Sequence, residues 1–588
     1  MLINTVEKLD WVKPSLLACT NPTVDTETDG LDAFGNQTTK PNHIIGISID
    51  DGREAYYFPF RHLQGINLPK SAIEFFRSYL SDPHRTYGGF NYKFDQHMLK
   101  ADGVDYALHF EDAMLGVHLL NENEPNFKLK DICDRYGIGD GSRQESILLE
   151  KVNGKKNRMC ELDPADVEPY ACDDVRLTRE LLEMIRPALK HHGLYDIWQQ
   201  TNYYSYITAQ MEYRGLMVDK SLTNQYKEDA VQHKENALNR LNEAAGYPIN
   251  PNSSKQVCAL LGMDSSAAEE LEILMQSQDE KADVARLVVE ARGWSSVDSR
   301  YYTPYLNMMD RNDILHCDLN LIGTISGRLS CSRPNLQAVA RKTDVFKVKD
   351  VFMAKPGFTL VSADYSQAEM RLACFYAKEE TMAGLIRKGA DLHSATAELL
   401  KIPRDAAKRI NFGVIYGIGA EALHKQLRIE KKVAQAHLNK YHGLYPQFRK
   451  LMKACEQRAE ADGVITLWTG RKRHFNVQHA YSHKAMSNLV QGGVAEIMRV
   501  SISRLYPAII DLGGHLLLQV HDQIIAEVPD EVVEIACQTT KIIMEDFPFD
   551  PRMTVDISCG KVWGSLSQWT PPEEPPLVSP LHTIPVGG

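Results

Sequence analysis

The hydrophobic period of this chain changes twice along its length, which restricts it to successive structural units in place of one continuous core. Over the first 190 or so residues, strand-like runs mix with helical ones, starting with IIGISID (Ile44 to Asp50) and EAYYFPF (Glu54 to Phe60). These two read as a hairpin across Asp51-Gly52 within a compact α/β unit. From about Trp198 to Arg292 the pattern is helical and polar, through YYSYITAQMEYRG and a charged stretch from Ser221 to Ala244. From Ile322 to Trp569 strands and helices alternate again, so a second α/β unit is expected. The segment from Thr570, TPPEEPPLVSPLHTIPVGG, is proline-rich and is expected to be an unfolded tail. At 588 residues the chain has length for several domains, with cores that need no staples.

Composition narrows the class. The eleven cysteines are scattered from Cys19 to Cys559 without a CxxC pair, which favours reduced, structural thiols and opposes a zinc site. No apolar run approaches the roughly 18 residues of a membrane span. The start, MLINTVEKLDW, lacks the basic and apolar regions of a signal peptide, so a cytoplasmic protein without a membrane partner is expected. A net charge of −11 opposes a polyanionic partner. The distribution reverses that reading, because basic residues gather at Arg404, Lys408, Arg409, Lys425, Arg428, Lys431, Lys432, Arg449, Lys450 and Lys453, and again at Arg471 to Arg473. One basic face on an acidic body can bind a polyanion, although each charge alone also fits a solvated helix face.

In VDTETDG, Asp25 and Glu27 stand two residues apart, so on a strand both side chains share one face. Two such acids could hold a divalent metal; they also fit a solvated strand end. Asp95 closes the amphipathic segment NYKFD, and in YACDD the phenol of Tyr170 and the carboxylate of Asp174 stand one helical turn apart. Four carboxylates and a tyrosine suit phosphodiester hydrolysis by two metals about 3.5 to 4 Å apart, one activating water and one steadying the leaving oxygen. Hard oxygen ligands imply magnesium or manganese. These three motifs, in this order, resemble the 3′-to-5′ proofreading exonucleases of the DEDD type, tyrosine subclass. By that resemblance Asp25, Glu27, Asp95 and Asp174 are metal ligands and Tyr170 orients the attacking water.

A second constellation lies downstream. TLVSADYSQAEMRLACFYA reads as a strand from Phe358 to Ala363 that turns helical after Asp364, and LLLQVHDQIIAEVP reads as two short strands meeting at His521-Asp522. Either aspartate alone fits a turn; as a pair on adjacent strands they could bind two magnesium ions for nucleotidyl transfer. Between them, Arg404, Lys408, Phe412 and Tyr416 recur every four residues and line one helix face. The cations suit a nucleotide's phosphates and the rings its base and sugar, while burial of both rings in an amphipathic helix fits the spacing equally well.

Together these segments resemble motifs A, B and C of the family A DNA polymerases. TISGRLSCSRPNLQ (Thr324 to Gln337), Asp391-Leu392-His393, TLWTGRKRHF and Gln491 resemble further elements of that family, in its order, from about Asp25 to Trp563. The resemblance implies an α/β multidomain fold: a ribonuclease H-like exonuclease domain over 1–190, a mainly helical thumb and start of the palm over 191–335, and palm and fingers over 336–569. The fingers would occupy about 376–460 and the tail 570–588. It further implies that Asp364 and Asp522 hold two metals with the backbone of Tyr365. Arg404, Lys408 and His393 would hold the triphosphate, Lys408 also giving a proton to pyrophosphate. Phe412 would pack on the incoming sugar and Tyr416 hold the templating position. Glu369 would act as the gate against a 2′-hydroxyl, and Gln367, Arg328, Asn335, Gln337, Gln491 and His521 would line the substrates. The implied partners are primer-template DNA and deoxynucleoside triphosphates, with the chain a monomer.

Three departures stand out. Motif C of the family usually reads HDE, and here its third residue is Gln523, which removes a charge beside the metals. Only ten residues separate His393 from Arg404, a connection resembling bacteriophage members and favouring a replicative phage enzyme acting in a bacterial host's cytoplasm. Position 412 is Phe, which by resemblance implies discrimination against dideoxynucleotides. With its first motif at Asp25 the chain is expected to carry no 5′ nuclease domain, and between Leu216 and Asp318 no insertion for a processivity factor is recognisable. Two other readings compete. One is an exonuclease whose polymerase half has become a DNA-binding clamp, which rests on Gln523; the other is a single-subunit RNA polymerase, which Glu369 and the fused exonuclease oppose.

Overall fold

The computed structural model describes residues 1–139, 142–340, 343, 346–475 and 482–572, so the expected tail lies, beyond Pro572, outside the described residues. The N-terminal unit is built on a five-stranded sheet in the order Ala55–Pro59, Ile44–Asp50, Thr23–Thr28, Tyr87–Gly89, Phe110–Asp112. The first three strands are antiparallel and the last two add in parallel. The expected hairpin forms, and its turn is held by Asp51, whose carboxylate accepts from the amides of Arg53 and Glu54 at 2.9 Å each. Every residue of Ile44–Asp50 is buried, because helices cover the sheet and leave little of the strand wet. The longest of them, Pro164–His191, starts on an Asp163 cap with Pro164 in its first turn and lies across the first three strands.

The helical, polar stretch folds as expected from its period. Helices Lys220–Ala245 and Ala282–Val297 run along each other, and the shorter Ser254–Leu261 and Ala268–Gln276 complete a small core of Leu241, Val257, Leu271 and Val288.

A second five-stranded sheet, fully antiparallel, has the order His515–Val520, Gln523–Pro529, Phe358–Tyr365, Val555–Gly560, Ser567–Gln568. Its central strand corrects the sequence reading, which ended it at Ala363. The strand runs on to Tyr365, and the following helix, Ala368–Ala377, begins only after Gln367, which takes a left-handed φ of 57°. Pairing on both sides is the reason: Asp364 stands opposite Gln523 and Asp556, and Tyr365 opposite Val555. The Tyr365 ring is buried beneath the sheet's helices, its hydroxyl 2.8 Å from Ser501 Oγ and donating to Met544 O at 2.5 Å. Helices from Ala368–Ala377 through Pro446–Ala461 gather around a separate core that includes Met370, Ile410, Leu438, Tyr441 and Phe448.

One helix, Tyr195–Arg214, joins the two sheets. Its Trp198 is fully buried and donates from Nε1 to Asp112 O at 3.0 Å, at the edge of the N-terminal sheet. Gly116 makes the room, since a Cβ there would meet Ile185 Cδ1 at 2.6 Å and the Trp198 ring at 3.2 Å. Further along, Tyr204 donates to Gln519 Oε1 at 2.7 Å and Arg214 to Glu527 Oε1 at 2.8 Å, both on the second sheet. A single buried cluster therefore runs from Ala113 through Trp198 to Trp563. Replacing Trp198 with Ala leaves a cavity at this junction and an unpaired carbonyl. The expected loss is about 3–5 kcal/mol of stability, read by denaturant unfolding; a loss below ~1 kcal/mol would refute the junction's importance.

Candidate functional site

Two carboxylate sites emerge, one at each sheet. In the first, the strand Thr23–Thr28 directs Asp25 and Glu27 to one face, and the helix Pro164–His191 brings Asp174 across from it. One oxygen from each of these three lies within 4.8 Å of the others. Burial is the main force on Asp25 and Glu27. It pushes Asp25 up to about 6 against the nearby Lys130 and Lys156, and it pushes Glu27 up to about 8 together with the charge of Asp25. Glu27 Oε1 is buried without a hydrogen-bond partner among the described residues. An unsatisfied buried carboxylate oxygen amid hard oxygen donors fits a divalent cation, so the residues present suit such an ion.

Asp95 packs against the same strand. It sits in the first turn of the helix Tyr92–Ala101, and its Oδ1 accepts from Thr26 N at 3.0 Å and Thr26 Oγ1 at 2.6 Å, which ties it to the strand that carries Asp25 and Glu27. It remains close enough for the charge of Asp25 to add to the burial that holds its carboxyl well above the ordinary range. Tyr170 is buried on the same helix as Asp174, and burial with the charges of Glu27 and Asp25 keeps its phenol protonated. Sequence reasoning missed two cations here. Lys130 forms an ion pair with Asp174, and Lys156 donates to the Tyr170 hydroxyl at 3.0 Å. Both lysines lie within 5.1 Å of the Tyr170 ring centre. Neither belongs to a motif with fixed spacing, so nothing local marked them.

The second site lies where the central strand meets the hairpin. Asp364 projects from the strand end, and Asp522 occupies the two-residue tip behind His521, whose φ of 56° makes the reversal. Although the Asp364 carboxylate reaches solvent, packing around it and the charges of Asp522 and Asp556 push it up to about 6. Burial likewise raises Asp522, with Glu369 adding and Arg328 opposing. Asp556, directly opposite Asp364 on the neighbouring strand, was not singled out from the sequence; it accepts from Ser366 Oγ at 2.7 Å. Alternation in TVDIS marked a strand, but only the pairing register puts this acid beside Asp364. Gln523 turns its amide to Ser362 Oγ at 2.6 Å and is built into the sheet.

The helix Arg404–Ile415 presents Arg404, Lys408 and Phe412 on one side as the four-residue spacing required; Tyr416 falls just past its end. Arg404 Nε donates to Asp391 Oδ2 at 2.6 Å, and Asp391 also caps the helix carrying His393. Burial lowers His393, whose ring accepts from Asn411 Nδ2 at 3.0 Å and lies 5.6 Å from Phe412. Tyr416 donates to Glu369 Oε2 at 2.5 Å, beside Gln491, while Arg328 pairs with the other Glu369 oxygen. Asn335 caps the short turn Leu336–Ala338, and Gln337 donates to Gln519 O at 3.1 Å, which ties this element to the hairpin. Gln367 is exposed at the start of its helix.

Comparison with known proteins adds the following. The model of DNA polymerase family A matches residues 220–565, more than half of the chain, and that of a 3′-5′ exonuclease matches residues 2–190. Relatives include a thermostable DNA polymerase I of Thermus filiformis, 29% identical over 71% of this chain and 56% of its own, and DNA polymerase I of Rhizobium leguminosarum, 27% identical over 89% and 56%. DNA polymerase I of Chloroflexus aurantiacus is 26% identical over 92% of this chain and 61% of its own. The chain thus spans little more than half the length of these relatives. Among solved structures, the POL domain of Pol1 from M. smegmatis, in complex with DNA primer-template and dNTP, superposes with a TM-score of 0.82 at 21% identity, covering 96% of this chain and 99% of that one; this shows the fold.

The raised carboxylates of the first site predict an unusual pH response. Folded values above the ordinary ones mean that the associated stability is complete below the unfolded pKa near 4 and is lost as pH rises through about 6 for Asp25 and about 8 for Glu27. In chelator the melting temperature should fall between about pH 5 and about pH 8.5, a divalent cation should restore it, and Asp25→Asn with Glu27→Gln should flatten the profile. A melting temperature that rises over this interval would contradict the assignment.

Proposed function

Since this chain belongs to DNA polymerase family A and carries a 3′-5′ exonuclease domain ahead of its polymerase region, we propose that it extends a primer 3′-hydroxyl on a DNA template and removes misincorporated 3′ nucleotides at a separate site. Its substrates in this reading are primer-template DNA and deoxynucleoside triphosphates, and it acts as a monomer. The observation that carries the reading is the paired placement of Asp364 and Asp522 at the meeting point of adjacent strands, together with the separate trio Asp25, Glu27 and Asp174 on the other sheet.

Magnesium, with manganese able to substitute, is the proposed ion at both sites; when bound it activates the attacking oxygen and stabilises charge on the phosphoryl group. In the polymerase, Asp364, Asp522 and the backbone of Tyr365 would hold two such ions. Arg404, Lys408 and His393 receive the triphosphate, with Lys408 free in solvent to give a proton to the departing pyrophosphate. Phe412 and Tyr416 face the sugar and the templating base, and Glu369, fixed by Tyr416 and Arg328, crowds a 2′-hydroxyl. Arg328, Asn335, Gln337, Gln367, Gln491 and His521 line the DNA and nucleotide. In the exonuclease, Asp25, Glu27, Asp95 and Asp174 would hold the ions while Tyr170 orients water. A replicative enzyme of phage type acting in a host cytoplasm is the finer proposal, supported by the short His393-to-Arg404 connection; among the described residues no helix is long and apolar enough to cross a membrane.

Separating the two activities tests this reading. Asp364→Ala and Asp522→Ala should each reduce primer extension by several orders of magnitude and spare 3′ shortening, and Asp25→Ala with Glu27→Ala should do the reverse; extension by the first pair would exclude the polymerase assignment. Gln523→Glu returns a carboxylate beside the ions, so extension at limiting magnesium should increase severalfold. An unchanged magnesium dependence would show that Gln523 has no part in ion affinity.

A further inference from the structure

We propose that Lys156 is a positioning residue of the exonuclease site, holding the Tyr170 hydroxyl in one orientation and placing a positive charge beside the strand end; this rests on the exonuclease reading of Asp25, Glu27 and Asp174. Lys156 opens the short turn Lys156–Glu161, just ahead of the helix that carries Tyr170 and Asp174. Its ammonium donates to Tyr170 Oη at 3.0 Å and lies 5.0 Å from the ring centre. On its other side Glu145, from the helix Arg143–Lys151, pairs with it at 2.5 Å and fixes where it stands. Lys156 and Tyr170 both line a cavity of about 660 Å³ whose wall also includes Phe90, Phe94 and Phe127. Rings on the wall of such a space suit stacking with unpaired bases, and a cation beside them suits the phosphodiester that links those bases.

The chemistry of the phenol gives this contact its consequence. A tyrosine hydroxyl has one hydrogen and two acceptor positions. With its proton retained and one acceptor position filled by Lys156, only the hydrogen and one lone pair remain to meet water or phosphate, and their directions are fixed by the lysine. Lys130, the other cation at this site, is committed to Asp174 and cannot do this. A surface ion pair with Glu145 alone would account for little, since pairs of this exposure are screened by water and bear on no reaction.

Single-turnover removal of the 3′ nucleotide from labelled single-stranded DNA with magnesium, by the full chain, decides the matter. Lys156→Ala should slow excision ~10–100-fold at an unchanged half-saturating DNA concentration, as loss of an orienting partner does. Lys156→Arg, which keeps the donor and the charge, should recover most of the rate. Because the lysine acts through the phenol, adding Lys156→Ala to Tyr170→Phe should slow excision little further than Tyr170→Phe alone. Melting temperature monitors folding, and Lys156→Gln takes the place of Lys156→Ala if the latter unfolds. If Asp25→Ala still excises, the exonuclease reading of the site falls and this proposal with it. If Asp25→Ala is inactive but Lys156→Ala excises normally, or the losses from Lys156→Ala and Tyr170→Phe multiply, the role of Lys156 alone is overturned.

Discussion

The pairing of Phe358–Tyr365 on both edges is the constraint on which the second site depends. A strand locked between two antiparallel neighbours has no freedom of register, and a slip of one residue would exchange Asp364 with the buried Ala363 or Tyr365. Burial of Tyr365 beneath the helices Ala485–Asp511 and Val533–Glu545 therefore fixes where Asp364 points. The same register brings Asp556 and Gln523 to its sides and the hairpin tip with Asp522 to its end. One apolar commitment on one face of the sheet sets the charge arrangement on the other.

Both sites concentrate carboxylates that repel one another, and the protein balances them differently. At the first, burial dominates, and the cations Lys130 and Lys156 stand among the acids and the phenol. At the second, the acids reach solvent, Arg328 acts on Asp522 through its charge, and further basic residues stand on the helix beginning at Arg404. This difference follows from position: Asp25 and Glu27 lie on an inner strand covered by the helix Pro164–His191, whereas Asp364 and Asp522 lie at a strand end and a hairpin tip. An acidic chain thus carries local clusters of basic residues, and its net charge says little about them.

The helix Tyr195–Arg214 makes the two units one packed body. Trp198 anchors one end, Tyr204 and Arg214 the other, and Glu212 near its end binds Lys93 Nζ at 2.6 Å and lies 2.6 Å from His97 Nε2. A second bridge forms where the buried Glu122 receives the amide of His474 at 2.6 Å and pairs with Arg473. Each sheet is thereby oriented by contacts remote from its own carboxylates.

The sequence by itself determined what depends on near neighbours. The period of two on VDTET put Asp25 and Glu27 on one face, the period of four aligned Arg404, Lys408 and Phe412, and turn chemistry gave the hairpins at Asp51 and at His521-Asp522. The ordered motifs carried the fold class, because each keeps its spacing whatever lies between. Tertiary structure alone decided the rest: the extension of the strand to Tyr365, the turning of Asp95 to Thr26, the arrival of Asp556 beside Asp364, and the placing of Lys130 and Lys156 at the first site. Each of these is a contact between residues on separate elements, fixed by strand register or helix packing. Local patterns carry no record of such contacts, since the same pattern is compatible with many partners and only the packed core selects one.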